Sequence, residues 1–382
     1  MENKYFSIVL LVIMVLVFSV FTVLANDESK GGKVRVIAHT DKEVSDGLGN
    51  GCKIVREARS LKALVCSANV ADSLGLQEDI EVFTMDSGAN TQIKADLVQT
   101  SGNNGDGRKV VVLDTGYNYG HRELSSSYLG GYDFVNDDND PFDDNGHGSH
   151  VAGIITADGI DSKAKGVAPG TGIISGKVLS ASGSGYFSDV VAAIYWAVDG
   201  NDGIYGTADD FDSDAISMSL GTSRPYTYKS FCDNVLPDLT NAIKYAVDRG
   251  VVVVAAAGNS GSPGVSIPGC ISYSTTVGAV DKYDKIASFS GRGKAVDISA
   301  PGVSLYSSWL GSNYKTASGT SMATPVVSGT VGLIKVAHPG YTVAQVQDAL
   351  FKTAKDLGKT GKDTSYGYGR VDAYGAVNYL AP

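Results

Sequence analysis

Five histidines limit the search for a general base, because imidazole is the side chain that titrates closest to neutral pH. They are His39, His121, His147, His150 and His338. His147 lies between two glycines in the segment 145–153 (NGHGSHVAG), which predicts an exposed ring at the start of a helix. His150 follows three residues later, on the apolar side of that helix, and is interpreted as structural. We therefore take His147 as the candidate base.

Two more residues have the side chains that a nucleophilic site needs. Asp114 ends an apolar run, 111–113, and a carboxylate at the end of a buried strand is costly unless it is paired; it could orient an imidazole and stabilise its protonated form. Ser321 opens an apolar helix in the segment 318–325 (SGTSMATP), where free N–H groups would assist a nucleophile. Taken singly, Asp114 is equally a turn cap and Ser321 an N-cap.

Asn259 is a fourth candidate, at the end of the apolar run 251–258. A side-chain amide at the carboxyl end of a buried strand can donate to a developing oxyanion. Alone, its Gly-Asn pair indicates only a turn.

The elements that must position these residues begin at residue 109, where short apolar runs alternate with helical patterns. Strands are predicted at 109–113, 173–179, 215–220, 251–256, 275–280 and 295–298, and helices at 148–155, 188–198, 239–249, 321–336 and 342–354. The strands lack polar alternation, which indicates burial on both faces. The predicted fold class is therefore α/β, a doubly wound, mostly parallel sheet with helices on both faces, and functional residues should lie beyond the carboxyl ends of its strands.

Four segments, taken in order, resemble the motifs of the subtilisin family of serine proteases. They are 111–116 (VVLDTG), 145–153 (NGHGSHVAG), 256–259 (AAGN) and 319–325 (GTSMATP). The resemblance extends from about Gln92 to the C-terminus, and one departure is Ser149, where threonine is usual.

This resemblance implies a serine endopeptidase with a defined division of roles. His147 would take the proton of Ser321 as its hydroxyl attacks a peptide carbonyl, and Asp114 would orient His147. Asn259 and the Ser321 backbone N–H would bind the oxyanion, and water would release an acyl-enzyme.

The resemblance also implies that protein or peptide substrates bind as an added extended strand. The matching edges are Gly183, Ser184 and Gly185 on one side and Ser219, Leu220 and Gly221 on the other. Ala257 and Gly258 would help to form the walls of the pocket for the residue before the scissile bond, with Ser266 near its floor. None of the wall residues is charged, so we predict a preference for apolar or aromatic side chains there.

The first 25 residues carry the pattern of an export signal. Lys4 is followed by an apolar stretch, 5–24, and by small residues at 23–25. The stretch is also long enough to remain as an uncleaved membrane anchor. In either case the rest of the chain is exported, and we expect the protein to be secreted.

Four cysteines agree with an oxidising compartment and allow three pairings. The segment boundaries favour Cys52 with Cys66 and Cys232 with Cys270. The alternative is buried free thiols.

A small α+β unit precedes the α/β pattern. Residues 26–85 resemble a subtilisin propeptide, a chaperone and inhibitor of its own enzyme, and 92–95 (QIKA) resembles the start of a mature enzyme. The predicted domains are a signal peptide, 1–25, a propeptide, 26–85, and a peptidase, 86–382, with cleavage between residues 83 and 86. The alternative is a permanent N-terminal domain. The enzyme is expected to be a monomer.

The net charge of −10 argues against nucleic acid and anionic membranes as partners. Aspartates are concentrated in two segments, 133–144 and 199–214. Clustered carboxylates repel unless they are solvated or bound to a hard cation. By resemblance, Ca²⁺ is predicted in both segments. The ligands would be Asp133, Asp138 and Asp140 in the first, and Asp199, Asn201, Asp209, Asp212 and Asp214 in the second. Solvated acidic loops are the alternative.

A third, tight calcium site is usual in this family, and the chain departs from it. Glu123 stands where an aspartate ligand is usual, and Ile160 stands where a side-chain amide is expected. We predict that this site is weakened or absent.

Three other functions fit the motifs less well. An α/β-hydrolase esterase needs Gly-x-Ser-x-Gly and the order Ser, Asp, His, neither of which occurs here. An inactive binding protein with this fold would normally lack a triad member. A zinc hydrolase using His147 and His150 lacks the glutamate of helical zinc motifs.

Overall fold

The computed structural model describes residues 32–58, 61–78 and 88–382. The predicted export signal and the predicted cleavage segment lie outside these ranges. The chain divides into two units, Met1–Thr84 and Met85–Pro382, which are described separately. Within the described residues, no helix combines the length and the apolar character needed to cross a membrane.

The first unit is a four-stranded antiparallel sheet with the strand order β2-β3-β1-β4. Its strands are β1 (Lys33–Ala38), β2 (Lys53–Ala58), β3 (Leu61–Ser67) and β4 (Gln77–Glu78), and its helices are α1 (Asp41–Gly49) and α2 (Ala68–Leu74). Helix α1 was not predicted from the sequence, although it starts with a capping box between Thr40 and Glu43. A disulfide joins Cys52 and Cys66, as favoured from the sequence.

The second unit is built on a seven-stranded parallel sheet with the order β13-β12-β10-β8-β5-β7-β6. These strands are β5 (Lys109–Asp114), β6 (Tyr128–Asp133), β7 (Gly172–Lys177), β8 (Ala215–Met218), β10 (Val252–Ala256), β12 (Thr275–Val280) and β13 (Ile298–Pro301). Two short antiparallel pairs accompany it: β9 (Thr227–Tyr228) with β11 (Val265–Ser266), and β14 (Leu305–Ser308) with β15 (Tyr314–Ala317).

Helices cover both faces of this sheet, as predicted. They are α3 (Ala89–Gln92), α4 (Ala95–Thr100), α5 (His147–Thr156), α6 (Phe187–Asp199), α7 (Pro237–Asp248), α8 (Thr320–Ala337), α9 (Val343–Thr353) and α10 (Ala373–Val377). Successive strand residues face opposite cores: Val110 and Val112 pack with α5 and α8, whereas Val111 and Leu113 pack with α6 and α7. This two-sided burial explains why the strands show no polar alternation.

Several strands differ from the sequence predictions. Strands β7 and β8 each end two residues before the predicted end, and the short strands β9, β11, β14 and β15 were not predicted. The edge strand β6 (YLGGYD) was missed because it contains two glycines and is only partly buried. The last strand begins at Ile298 rather than at residue 295, because Val296 belongs to a turn closed by a hydrogen bond from its N–H to the Gly293 carbonyl. A second disulfide, Cys232–Cys270, is formed as favoured.

Strand β5 occupies the position that matters most for function. It lies between β7 and β8, and the chain leaves it in one direction toward β6 and β7 and later returns on the other side to β8. The carboxyl end of β5 is therefore the topological switch point of the sheet, where a crevice forms in doubly wound folds.

Candidate active site

A short contact between Asp114 and His147 lies at the carboxyl end of β5. His147 Nδ1 is 2.7 Å from Asp114 Oδ1, which also accepts the Thr115 N–H at 2.7 Å. Asp114 is fully buried, whereas the His147 side chain keeps 28% of its surface exposed. The imidazole therefore has one nitrogen fixed by a carboxylate and an edge open to solvent.

Close packing of α5 on the turn after β5 makes this contact possible. A Cβ added at Gly148 would lie 2.2 Å from the Gly116 carbonyl oxygen, so any side chain at residue 148 would push the helix away. The glycine that follows His147 thus brings the first turn of α5 against the strand that carries Asp114.

A second buried carboxylate, Asp143, organises the same helix start. Its Oδ1 accepts the Asn145 and Gly146 N–H groups and the Thr115 hydroxyl, and its Oδ2 accepts both the N–H and the hydroxyl of Ser149. Burial alone would raise the pKa of Asp143, but these hydrogen bonds together hold it below its ordinary value. Ser149, the departure from the family motif, is thus a donor in this network.

The charges around His147 favour its protonated form. Burial of His147 opposes its protonation, but the charge and hydrogen bond of Asp114, together with the charge of Asp143, outweigh burial and raise the pKa of His147 above its ordinary value. Lys315 acts in the opposite sense. Because a stabilised imidazolium is what proton transfer from a serine requires, the site is electrostatically suited to general-base catalysis.

Ser321 lies in the first turn of α8 and borders the same cavity as His147. Its hydroxyl donates to the Ser219 carbonyl at 3.0 Å. Hydrogen bonds between catalytic groups often form only in the substrate complex, so this orientation is compatible with attack on a substrate.

Asn259 and the Ser321 N–H converge on one point. The Asn259 Oδ1 accepts the N–H and the hydroxyl of Thr320, which turns the amide nitrogen toward the cavity. A methyl group placed on Gly319 would lie 3.4 Å from Asn259 Nδ2 and 3.6 Å from the Ser321 nitrogen. Gly319 therefore leaves open a space that two N–H donors border, which is the arrangement that stabilises an oxyanion.

A cavity of about 620 Å³ runs from the triad along the sheet edge. Its walls include all six predicted edge residues: Gly183, Ser184, Gly185, Ser219, Leu220 and Gly221. Its lining contains no Asp, Glu, Lys or Arg among the described residues, as the sequence indicated. Ser266 closes one end, since a Cβ at Gly258 would meet its hydroxyl at 1.9 Å.

Ala257 is the one predicted wall residue that the structure places elsewhere. Alternate residues of an extended segment point in opposite directions, so Ala256 and Gly258 border the cavity while Ala257 packs in the core beneath α6 and α7. The sequence reading also missed Tyr186 and Phe187, which extend the apolar wall. The signal was present, because two aromatic residues directly follow the Gly-Ser-Gly edge.

The first predicted calcium loop pairs Asp133 with Asp138 through their backbones, but the side chains of its three aspartates have separate partners. Asp133 is buried and accepts the N–H groups of residues 135 and 136, Asp138 accepts the N–H of Asp140, and Asp140 accepts the Tyr119 hydroxyl. In the described ranges, no three His, Cys, Asp or Glu side chains are grouped to hold a metal ion.

In the second acidic segment, two predicted ligands are in contact, because the Asn201 N–H donates to Asp209 Oδ2 at 2.7 Å, but the other three have separate partners or positions. Asp199 accepts the Tyr245 hydroxyl, Asn201 accepts the indole N–H of Trp196, and Asp209 accepts N–H groups of its own loop. Asp214 lies apart from them, within 3.7 Å of Arg108 and 4.0 Å of Lys335. Asp212 adopts a left-handed backbone conformation in the connecting turn.

The Glu123 side chain enters the loop in which we predicted a weakened or absent calcium site. Its buried carboxylate accepts the N–H groups of Gly159, Ile160 and Asp161 at 2.7–3.0 Å and the Tyr314 hydroxyl at 2.6 Å. A loop that turns successive N–H groups inward suits an anion rather than a cation. The carboxylate is therefore the internal ligand of this loop.

Comparisons with known proteins agree with this geometry. A model described as "Subtilase family" matches residues 105–369, more than half of the chain. The chain is 40% identical over 274 residues to "Thermophilic serine proteinase" of Bacillus sp. (strain AK1), covering 72% of this chain but only 62% of that protein. It is 38% identical to "Subtilisin Savinase" of Lederbergia lenta, covering 75% of this chain and 97% of that protein. The corresponding figures for "Thermitase" of Thermoactinomyces vulgaris are 38%, 72% and 90%.

Gly319→Ala tests the convergence of the two N–H donors. The backbone there is extended (φ 164°) and the added methyl makes only ordinary contacts, so we expect normal folding. Because the methyl occupies the space between Asn259 Nδ2 and the Ser321 nitrogen, kcat on a peptide substrate should fall about 10- to 100-fold. The matched control is Gly340→Ala, where a methyl meets nothing within 4 Å. An unchanged kcat in Gly319→Ala would show that no oxyanion forms at this point.

Proposed function

The chain belongs to the subtilase family of serine endopeptidases, and from that premise we propose that it is a secreted peptidase, made as a zymogen, with Ser321 as its nucleophile. The observation that carries the assignment is the 2.7 Å contact of His147 Nδ1 with a fully buried Asp114, beside a cavity that Ser321 and Asn259 also border.

The proposed reaction begins with proton transfer from Ser321 to His147 Nε2. The Ser321 oxygen forms a bond to the substrate carbonyl carbon, and the resulting oxyanion accepts hydrogen bonds from Asn259 Nδ2 and the Ser321 N–H. The imidazolium, held by Asp114, then gives its proton to the leaving amine, and the C–N bond breaks. Water then gives a proton to the same imidazole and adds to the acyl carbon. The bond between that carbon and the Ser321 oxygen breaks, and the imidazolium returns the proton to Ser321.

The cavity supports a preference at the residue before the scissile bond. Its lining combines glycine edges with Leu179, Tyr186 and Phe187 and carries no fixed charge among the described residues. Burial of a charged side chain against such walls is costly, whereas an apolar side chain gains transfer free energy. We therefore propose apolar or aromatic side chains at this position.

Export and self-inhibition are supported by the organisation of the chain. Disulfides persist in oxidising compartments, and two are present. The chain divides between Thr84 and Met85, and the unit that ends there has its own sheet and core. We propose that residues 26–85 are a propeptide that inhibits the enzyme until cleavage, and that the mature enzyme is a monomer.

A Ser321→Ala variant of the full-length chain tests both the nucleophile and the autoprocessing. Secreted wild type should lose its N-terminal unit and hydrolyse a peptide substrate, whereas Ser321→Ala should stay uncleaved and lose about 10⁶-fold in kcat. Intact mass and N-terminal sequencing of the secreted protein show whether the N-terminal unit is removed, and initial rates on the peptide substrate give kcat.

Two additions complete this experiment. Ser312→Ala, an exposed serine in the turn before β15, is the matched control and should mature normally. Mature wild type added in trace amounts should cleave Ser321→Ala near residue 85. Hydrolysis retained by Ser321→Ala would overturn the nucleophile, and active enzyme that keeps residues 26–85 would overturn the zymogen.

Calcium binding by the loop 133–144 remains a separate proposal. Its support is charge density: six aspartates lie within twelve residues, and carboxylates at that spacing favour a hard cation. Because no three of the described side chains converge, backbone carbonyls and water would have to complete the coordination.

Thermal unfolding of the inactive Ser321→Ala protein, with Ca²⁺ or with a chelator, tests this proposal. We expect the chelator to lower the melting temperature, and Asp138→Asn with Asp140→Asn to abolish that difference. The double variant Asp209→Asn and Asp212→Asn makes the same change in the second acidic segment and shows whether that segment contributes to the effect of Ca²⁺. Identical melting temperatures with and without Ca²⁺ would exclude a stabilising calcium ion.

A further inference from the structure

Lys315 lies on β15, the strand that leads into Ser321, and its backbone is fixed to the helix of the candidate base. Its carbonyl accepts a hydrogen bond from His150 Nε2 at 2.9 Å, one helical turn beyond His147. Burial lowers the pKa of His150 to about 4, so this ring is neutral at working pH and donates through Nε2. His150 therefore holds β15 beside the start of α5.

The Lys315 ammonium is held above an aromatic ring next to the base. Its Nζ lies 3.9 Å from the centre of the Trp309 ring, within the range of a cation–π interaction. The same ring packs on the residue before His147, because a Cβ at Gly146 would lie 2.5 Å from it. Lys315 is exposed, and in the described part of the chain no carboxylate lies within 4.0 Å of its ammonium.

The charge of this ammonium reaches the base. Lys315 opposes protonation and so works against the rise in the pKa of His147 that Asp114 and Asp143 produce. A cation at this position that has no carboxylate partner would also attract or repel a charged substrate side chain bound near His147.

Lys315 lies outside the cavity that would hold the acyl side of the substrate. The cavity for the acyl side runs along Gly183–Gly185 and Ser219–Gly221, and neither Lys315 nor Trp309 borders it. His147 protonates the leaving amine, so the chain that follows the scissile bond leaves along the other side of the imidazole. Trp309 and Lys315 occupy that flank, against Gly146 and His150.

We propose that Lys315 is a specificity determinant for the leaving group, which favours substrates with an acidic residue in the first two positions after the scissile bond. This inference rests on the proposed function, since it uses the roles of His147 and Ser321. Trp309 supports the ammonium and limits the directions in which it can point. Exposed charge pairs are weak, so the expected preference for Asp over Lys is about two- to five-fold in kcat/KM.

The test uses two internally quenched peptides that differ only in having Asp or Lys at the two positions after the scissile bond. In wild type, kcat/KM should be about two- to five-fold higher for the Asp peptide at low ionic strength, and the ratio should approach one at about 1 M salt. Lys315→Arg should keep the preference, Lys315→Met should abolish it, and Lys315→Glu should reverse it. Lys352→Glu, an exposed lysine on α9 that makes the same change in net charge, is the control and should behave as wild type.

A p-nitroanilide substrate and a pH profile separate this role from a structural one. The anilide has no residue after the scissile bond, so Lys315→Met and Lys315→Glu should hydrolyse it at the wild-type plateau rate. Loss of the positive charge should also move the acid limb of kcat/KM to higher pH, because Lys315 lowers the pKa of His147.

The outcomes of this test are distinct. An Asp-to-Lys ratio that Lys315→Glu leaves unchanged would overturn the proposal. An equal loss on both peptides and on the anilide would also overturn it, because the role of Lys315 would then be structural. Failure of the proposed function would appear separately, as hydrolysis by Ser321→Ala.

Discussion

A carboxylate that is buried beside an imidazole is the constraint on which the rest of the site depends. Asp114 has no exposed surface, and within the described residues its Oδ2 has no hydrogen-bond partner. Its charge is balanced at Oδ1 by His147 and the Thr115 N–H. An unpaired charge in the interior is costly, so this region is stable only when His147 is held at hydrogen-bond distance. Burial of the Asp114 carboxylate therefore fixes the position of His147, the candidate base.

The neighbouring loop meets this requirement through two consecutive aspartates with different partners. Asp143 captures N–H and hydroxyl groups around the start of α5. Asp144 pairs at 2.7 Å with Lys177, a buried lysine whose ammonium also donates to the carbonyls of Thr115 and Leu179. The Lys177 ammonium therefore connects the turn after β5 with the loop before His147 and with Leu179, and both Thr115 and Leu179 border the cavity. A peptide bound along that wall, as we propose, would be positioned by the same contacts that position Asp114 and His147.

The sequence predicted the elements that carry the candidate site better than the contacts around that site. Buried parallel strands are continuous apolar runs, so a polar residue that ends one, such as Asp114 or Asn259, is visible locally. Ala257 was misplaced because a range was assigned to the wall without regard to the alternation of extended backbone. The aspartates of the acidic loops accept nearby N–H groups, which composition does not reveal. Lys315 acquires its position from partners on other elements, Trp309 and His150, and only the folded chain brings them together.

The central claim is that Asp114 makes His147 a stronger base than an ordinary histidine. The most direct measurement is a ¹⁵N NMR titration of the His147 imidazole in the Ser321→Ala protein, with and without Asp114→Asn. Protonation must be lost before the base can act, so kcat/KM of the active enzyme should rise with pH through the same midpoint. We predict that Nδ1 stays protonated throughout, with a midpoint above 6.5 that falls when Asp114 is replaced. A midpoint at or below 6.5 with Asp114 present would contradict the account.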